Sequence, residues 1–256
     1  MDLENKNVVY VGGFGGIGYA ACKCFLEQKV KCLAIFDLQE DPQRLQELRS
    51  IAANEEEVFS IKVDVTDRAN VAAAFAKAHE KMGHFEVVVN GSGIANEHCI
   101  EQTVKVNLLG VIYLCLAALP YMDKSQGGHG GLIVNISSVF GLEAYGGVAV
   151  YTATKHGVCG FTRALADPFY YERTQVGFIT ICPGETDTPM IQNMRITKAK
   201  PLNRTVRCAC AQQLMETVKL AKNGSIWIII GGQLKEIEIQ TETRKSGIPY
   251  TLVLRN

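Results

Sequence analysis

The sequence has no excess of charge of either sign. Lysine plus arginine and aspartate plus glutamate each number 26 among 256 residues, and no basic block occurs. A protein that binds nucleic acid or an anionic membrane through its charge carries a basic patch or stretch. Neither nucleic acid nor a membrane is therefore expected as a partner.

The chain also lacks the cysteine spacing of a disulfide scaffold or a zinc ribbon. There are nine cysteines, an odd number, and no pair is spaced as Cys-x-x-Cys. Several lie in apolar runs, where cysteine behaves as a small hydrophobic residue. The expectation is reduced thiols, no metal site and a cytoplasmic protein.

Targeting and membrane signals are weak. The first residues are acidic where a secretory signal would be basic, and the apolar run that follows is short. The longest apolar stretch, Val106–Met122, is interrupted by Asn107 and Pro120. It is expected to fall short of a membrane span.

What the sequence does contain is an alternation of apolar strands and helical segments. Continuous apolar runs without a period of two predict the buried strands Asn7–Val11, Lys31–Phe36, Val58–Val63, Glu86–Asn90, Gly131–Ile136, Val176–Cys182 and Ser225–Ile230. Helices are predicted at Gly16–Lys29, Asp41–Asn54, Val71–Met82, Ile100–Tyr121, Val150–Ala166 and Ala209–Lys222.

This alternation predicts one doubly wound, Rossmann-type α/β domain over residues 1–256. Its sheet would have seven parallel strands with helices on both faces. No repeat or linker divides the chain. Residues 189–208 are interpreted as a short substrate loop and residues 241–256 as a C-terminal tail.

A glycine-rich loop follows the first predicted strand and opens the first predicted helix. It consists of Gly12, Gly13, Phe14, Gly15, Gly16, Ile17 and Gly18. Both GxGxxG and GxxxGxG fit these glycines, and either would let a pyrophosphate approach backbone N–H groups at a helix N-terminus. The alternative is a turn needed only for helix–strand packing.

Asp37 ends the second predicted strand, nineteen residues after Gly18. A carboxylate at this position accepts hydrogen bonds from the adenosine ribose and repels a 2′-phosphate. This predicts NAD rather than NADP as the cofactor. The alternative is an aspartate that only caps a helix.

A second polar cluster lies far along the chain. Ser138 follows the fifth predicted strand, and Tyr151 and Lys155 lie one helical turn apart, thirteen and seventeen residues later. Oxidising an alcohol needs a base for the hydroxyl proton. An ammonium one turn away is expected to favour the phenolate form of Tyr151, while Ser138 holds the substrate oxygen. Each residue also has an ordinary structural alternative, in packing, at the surface or in a turn.

With these motifs, the chain resembles the short-chain dehydrogenase/reductase family over nearly its whole length, and within it the insect alcohol dehydrogenase group. Residues 121–184 also resemble 15-hydroxyprostaglandin dehydrogenases. Further matching positions are Asp64-Val65, the segment Asn90-Gly91-Ser92, Asn107, and Pro183-Gly184 with Thr186 and Thr188.

The resemblance implies a role for each matching residue. Asn107, Ser138, Tyr151 and Lys155 would form a catalytic tetrad in which Asn107 anchors a water that links Lys155 to solvent. The glycine loop, Asp37, the other matching positions and the Tyr151–Lys155 pair would contact the cofactor.

The expected function is NAD-dependent oxidation of a secondary alcohol or a hydroxylated lipid, such as a prostaglandin-like hydroxy acid, to the ketone. One alternative is a catalytically weak relative that serves as a storage, binding or scaffold protein. Another is a regulator that senses the dinucleotide without turning over an alcohol.

The two helices around the cluster are unusually apolar. One stripe contains Leu108, Val111, Leu114, Cys115 and Ala118, and another contains Val158, Phe161 and Leu165. The resemblance implies that these helices pair with those of a second copy, giving a homodimer or a tetramer. The alternative is burial of both stripes within one subunit.

Overall fold

The computed structural model describes residues 1–193 and 204–239. In them, eight strands form a single sheet in the order β3-β2-β1-β4-β5-β6-β7-β8. The strands are β1 Asn7–Val11, β2 Cys32–Asp37, β3 Val58–Lys62, β4 Val87–Asn90, β5 Gly131–Ile136, β6 Val176–Pro183, β7 Ile226–Ile230 and β8 Gln233–Ile237.

The first seven strands are parallel, as the apolar runs predict. The predicted total of seven is wrong by one, because β8 pairs antiparallel with β7 at the sheet edge. Its five residues include Gln233, Lys235 and Glu236, and none is fully buried. A polar edge strand lacks the continuous apolar run by which the other strands are recognised.

Helices cover both faces of this sheet. They are α1 Gly16–Glu27, α2 Pro42–Arg49, α3 Arg68–Met82, α4 Ile100–Val104, α5 Gly110–Met122, α6 Ala149–Leu165, α7 Pro168–Thr174, α8 Pro189–Asn193 and α9 Arg207–Leu220. The six predicted helices are found with shifts of a few residues at their ends. Two short helices, α7 and α8, are not among them, and the rest of the predicted 189–208 loop and the 241–256 tail lie largely or wholly outside the described residues.

Each face of the sheet has its own apolar core. On one face α1 and α9 pack together, with Phe25 and Leu214 fully buried. On the other face α3 and α5 pack together, with Phe75 and Leu114 fully buried. The doubly wound arrangement leaves the carboxyl ends of the strands free to carry a site.

The predicted intersubunit stripe on α5 is mostly buried inside the subunit. Val111, Leu114, Cys115 and Ala118 are at most 1% exposed, and Val158 on α6 is fully buried. These side chains face the sheet core, so their apolar character does not by itself indicate a partner surface. On α5, Leu116 is directed outward and is 47% exposed.

Helices α4 and α5 are joined by a π-helical turn, Lys105–Leu109, into one continuous helical run, Ile100–Met122. Among the described residues this run alone is long and apolar enough to cross a membrane by length and composition, so the expectation that the stretch falls short was wrong on that criterion. The Pro120 ring does not end the helix. Here one side of the run packs against the sheet, with Val111 and Leu114 fully buried.

Candidate active site

The glycine loop lies between β1 and α1, where the strand order of the sheet reverses. Gly12 has a φ of 78°, and a Cβ on Gly18 would come within 2.1 Å of the Gly12 carbonyl oxygen. Both positions therefore require glycine, which favours the GxxxGxG spacing. No side chain caps the start of α1, so its first N–H groups lie at the loop, as an anion site requires.

Asp37 is held against this loop. Its Oδ2 accepts a hydrogen bond from the Phe14 N–H at 2.9 Å, and its Oδ1 accepts one from the Gln39 N–H at 3.2 Å. Arg44, on α2, donates to the Phe14 carbonyl and lies 3.4 Å from the Asp41 carboxylate. A cation beside the predicted ribose site is a feature that the sequence motifs did not indicate.

A cavity at the carboxyl ends of β4, β5 and β6 collects ten of the predicted residues. They are Ile17, Gly91, Ser92, Ser138, Tyr151, Lys155, Pro183, Gly184, Thr186 and Thr188. The glycine loop adjoins this cavity, because a Cβ on Gly16 would lie 2.7 Å from the Thr188 side chain. The glycine loop, helix α6 and the predicted nicotinamide loop thus form one continuous site.

The proposed proton-transfer residues are nearly buried and close together. The Ser138 hydroxyl lies near enough to the Tyr151 phenol to lower its pKa, and it accepts a hydrogen bond from the Phe140 N–H. The Lys155 ammonium donates to the Ile136 carbonyl at 3.0 Å and lies 5.5 Å from the centre of the Tyr151 ring. Lys155 is thus directed along the end of β5 beside the phenol.

Further hydrogen bonds fix β5 against α6. Ser137 donates to the Lys155 carbonyl at 2.9 Å, and Asn135 donates to the Thr162 hydroxyl at 2.9 Å. All four of these residues are at most 3% exposed. Buried, hydrogen-bonded polar groups hold two elements rigidly together, so these contacts fix the position of the Tyr151 phenol relative to Ser138.

Asn107 lies in the π-helical turn and is fully buried. Its side-chain amide accepts from the Ile94 N–H and donates to the Ile94 carbonyl, both at 2.8 Å. A Cβ on Gly93 would lie 3.4 Å from the Lys155 Nζ and 3.5 Å from the Asn107 Oδ1. The asparagine and the lysine therefore converge at Gly93.

Burial dominates the protonation of the phenol and the ammonium. It raises the pKa of Tyr151 to about 12, and the nearby Ser138 hydroxyl only partly opposes the shift. It lowers the pKa of Lys155 to about 8. The shift for Tyr151 is opposite in direction to that expected from the sequence, because the loss of hydration outweighs the opposing effect of the Ser138 hydroxyl.

Apart from the glycine loop and Asp37, which lie beside the cavity, three predicted cofactor contacts do not line it. The Asn90 side chain is fully buried and donates to Asn135 at 2.7 Å, so that any contact from this residue with a cofactor would come from its backbone. Asp64 accepts hydrogen bonds from Thr66, and Val65 is buried against Gly110. Both lie after β3, on the adenine side of the predicted site.

Sequence reasoning missed the walls of the cavity. They add the apolar side chains Val139, Phe140, Met190 and Ile191 and the carboxylate-bearing Glu185. The Phe140 ring stacks on Tyr145 with the ring centres 5.4 Å apart. These residues flank the recognised motifs, but nothing in their spacing shows which side chains point into the cavity.

Comparison with known proteins agrees with this geometry. The family model described as short chain dehydrogenase matches residues 6–199. Alcohol dehydrogenase 1 of Ceratitis capitata is 38% identical over 249 residues, covering 93% of this chain and 96% of the relative. The coverage is the same for Fat body protein 2 of Drosophila melanogaster, at 36% identity. Development-specific 25 kDa protein of Sarcophaga peregrina is 38% identical, covering 93% and 97%.

Solved structures show the same fold. ElxO with NADP bound is 26% identical, with a TM-score of 0.76 over 89% of this chain and 98% of that one. A 3-ketoacyl-(acyl-carrier-protein) reductase from Brucella melitensis, complexed with NADH, is 22% identical with a TM-score of 0.77 over 90% and 98%. The glycine cradle fits the same class of cofactor, a nicotinamide dinucleotide. The chain belongs to the short-chain dehydrogenase family.

Proposed function

We propose that the protein oxidises a secondary alcohol or a hydroxylated lipid, such as a prostaglandin-like hydroxy acid, to the ketone, with NAD as cofactor and Tyr151 as base. The observation that carries the proposal is the convergence of Ser138, Tyr151 and Lys155 on a cavity that adjoins the glycine loop. A site with these three residues binds the hydroxyl group and removes its proton where a dinucleotide also binds.

Each side chain has a part in this chemistry. Ser138 donates to the substrate oxygen and holds it near the phenol, and Tyr151 accepts the hydroxyl proton. Lys155 supplies positive charge beside Tyr151, and Asn107 fixes the loop at Gly93, where Lys155 ends. When bound, a nicotinamide dinucleotide supplies the hydride acceptor and a positive charge.

The raised pKa of Tyr151 limits when this base is available. A buried phenol with a pKa of about 12 keeps its proton at neutral pH. Positive charge close to the ring favours the phenolate and so opposes the effect of burial. Alcohol oxidation is therefore expected to become faster as the pH rises.

The preference for NAD rests on Asp37. Its carboxylate stands beside the glycine loop with one oxygen on the Phe14 N–H, and a 2′-phosphate there would meet like charge. Arg44 is the competing feature, because a guanidinium near the ribose could pair with that phosphate. Its nearest carboxylate is Asp41, which already offsets part of its charge.

The substrate class follows from the cavity wall. Val139, Phe140, Met190 and Ile191 give it an apolar surface next to Ser138 and Tyr151. Apolar walls with a few convergent polar groups suit a small molecule with one hydroxyl group on a hydrocarbon frame.

The second candidate function is a catalytically weak storage, binding or scaffold protein. The names Fat body protein 2 and Development-specific 25 kDa protein, given to two relatives, state no activity. Against this candidate, all four tetrad residues are present, and Ser138 and Tyr151 line the same cavity. A scaffold would not need these groups together.

The proposed assembly is a cytoplasmic homodimer or tetramer. Support comes from Leu116, 47% exposed on α5, and from the partly buried Phe161 and Leu165 on α6. In sedimentation equilibrium at micromolar protein we expect at least twice the chain mass. A mass of one chain would exclude the dimer.

The function is tested by supplying a panel of primary, secondary and lipid-like alcohols with NAD or with NADP and following absorbance of the reduced cofactor. We expect turnover of secondary alcohols with NAD. Dinucleotide binding without turnover of any alcohol would favour the binding protein or the regulator.

A further inference from the structure

The helix that carries Tyr151 and Lys155 has no cap of its own. Its N-cap residue, Val148, has an apolar side chain, and the first turn of α6 contains no acidic residue. The first N–H groups of any helix have no partner within the helix and need acceptors from elsewhere. In most helices a serine, threonine or aspartate at the N-cap supplies the acceptor.

Glu97 supplies the acceptors for α6 from a distant part of the chain. Its Oε2 accepts from the Val150 N–H at 2.8 Å, and its Oε1 accepts from the Tyr151 N–H at 2.9 Å. Glu97 precedes Val150 by 53 residues and lies between β4 and α4. A carboxylate is the strongest acceptor available, and its negative charge suits the positive end of the helix.

The loop that presents Glu97 is itself held in place. Asn107 binds both backbone polar groups of Ile94, three residues before Glu97. The Asn96 carbonyl accepts a hydrogen bond from the Thr103 hydroxyl at 2.7 Å, which ties the residue directly before Glu97 to α4. The Glu97 carboxylate is therefore placed by a braced segment.

From these contacts we infer that Glu97 is a positioning residue for Tyr151. It holds the main chain of the tyrosine, so the phenol stays directed at Ser138, and it takes no proton from the substrate. The inference rests on the proposed function insofar as it treats Tyr151 as the base. Asn107 holds this loop beside Lys155, and Glu97, on the same loop, holds the main chain at Tyr151.

Two variants test the carboxylate. Glu97→Ala removes both acceptors. Glu97→Gln keeps one carbonyl oxygen and turns an N–H donor toward the second amide. Glu101→Gln is the matched control, because Glu101 lies four residues on, its side chain is 90% exposed, and its ion pair with Lys105 spans 3.9 Å.

The first measurement needs no substrate. Hydrogen exchange of the Val150 and Tyr151 amides should be faster by about 10-fold or more in Glu97→Ala, intermediate in Glu97→Gln and unchanged in the control, since each acceptor contributes to protection. The ring NMR signal of Tyr151, assigned by its loss in Tyr151→Phe, should move in the same order. Unchanged exchange and an unmoved Tyr151 signal in Glu97→Ala would overturn the inference.

The second measurement is kcat, expressed per NAD-binding site so that misfolded protein is left out of the enzyme concentration. In Glu97→Ala, kcat should fall by about 10-fold or more with NAD affinity within about 3-fold, since misplacing a reacting group by about 1 Å costs about 100-fold. Equal kcat in Glu97→Ala and wild type would show that Glu97 stabilises the helix without positioning the base. If wild type turns over no alcohol, the proposed function fails, and exchange and the Tyr151 signal alone decide the role of Glu97.

Discussion

The glycine loop and the proposed tetrad differ in the groups that they offer to a ligand. The loop lies within residues 12–18 and offers backbone N–H groups and space, with Gly12 and Gly18 needed for close approach. The tetrad combines Asn107, Ser138, Tyr151 and Lys155 from three parts of the chain, and all are at most 7% exposed. Binding by backbone N–H groups involves no titrating group and so depends little on burial. At the buried side chains, burial sets the protonation states of Tyr151 and Lys155.

The same contrast appears in the charged groups. At the loop, Asp37 is partly exposed and is held by N–H donors. At the tetrad, burial shifts the pKa of Tyr151 up and that of Lys155 down. Binding selectivity should therefore respond to changes at Asp37 and the proton chemistry to changes at the tetrad, each with little effect on the other.

Tyr151→Phe is expected to give the largest difference between an effect on turnover and an effect on cofactor binding. The change removes the phenolic oxygen and keeps the ring, so turnover should fall by at least about 100-fold, the low end of acid–base contributions. NAD affinity, measured by fluorescence titration, should stay within a few fold. Tyr170→Phe, on the exposed side of α7, is the control. Retention of most turnover by Tyr151→Phe would mean that another group is the base.

Asp37→Asn should change the loop region alone. It removes the charge that repels a 2′-phosphate, so the preference for NAD over NADP should fall by about 10-fold, the equivalent of about 1.4 kcal/mol. Titration of both cofactors measures this. Arg44→Met is the paired variant, and it should weaken NADP binding further if the guanidinium accounts for residual NADP affinity. Equal affinity of wild type for both cofactors would contradict the role of Asp37.

Lys155→Met should show what burial of the ammonium costs. A pKa lowered from 10.5 to about 8 corresponds to about 3 kcal/mol against the charged form, offset by about 1 kcal/mol for the lost hydrogen bond to Ile136. Folding lowers this pKa, so the penalty is full below pH 8 and disappears as the pH approaches 10.5.

In nucleotide-free protein at neutral pH, the variant should therefore unfold in urea with a free energy about 2 kcal/mol higher than wild type, and the gap should close in alkali. Lys105→Met, at a half-exposed lysine, is the control. A variant less stable than wild type at neutral pH would show that the ammonium is well accommodated.

Much of the fold could be predicted from the sequence because its signals are local. Buried parallel strands such as Asn7–Val11 are continuous apolar runs, and the loop after that strand has its glycines in order. The polar strand Gln233–Ile237 has no such run, and the π-helical turn at Asn107 has no recognisable pattern.

The site also has features that the sequence predicts and features that it does not. Resemblance brought Ser138, Tyr151 and Lys155 together, and the geometry agrees. Long-range features escaped prediction: Glu97 meets the N-terminus of α6 only after the chain has folded, and the apolar residues of α5 proved to face the sheet. The direction of the Tyr151 pKa could not be predicted either, because spacing along a helix shows a neighbouring charge but not how far water is excluded.

The most direct test of the account is the pH dependence of reduced-cofactor formation in a single turnover of wild type with saturating NAD and a secondary alcohol. The rate should rise with pH from about pH 6 toward about pH 10, because a buried phenol must lose its proton before it can accept one from the alcohol. Tyr151→Phe should show a residual rate without that rise. A flat wild-type profile, with the chemical step limiting, would contradict the assignment of Tyr151 as the base.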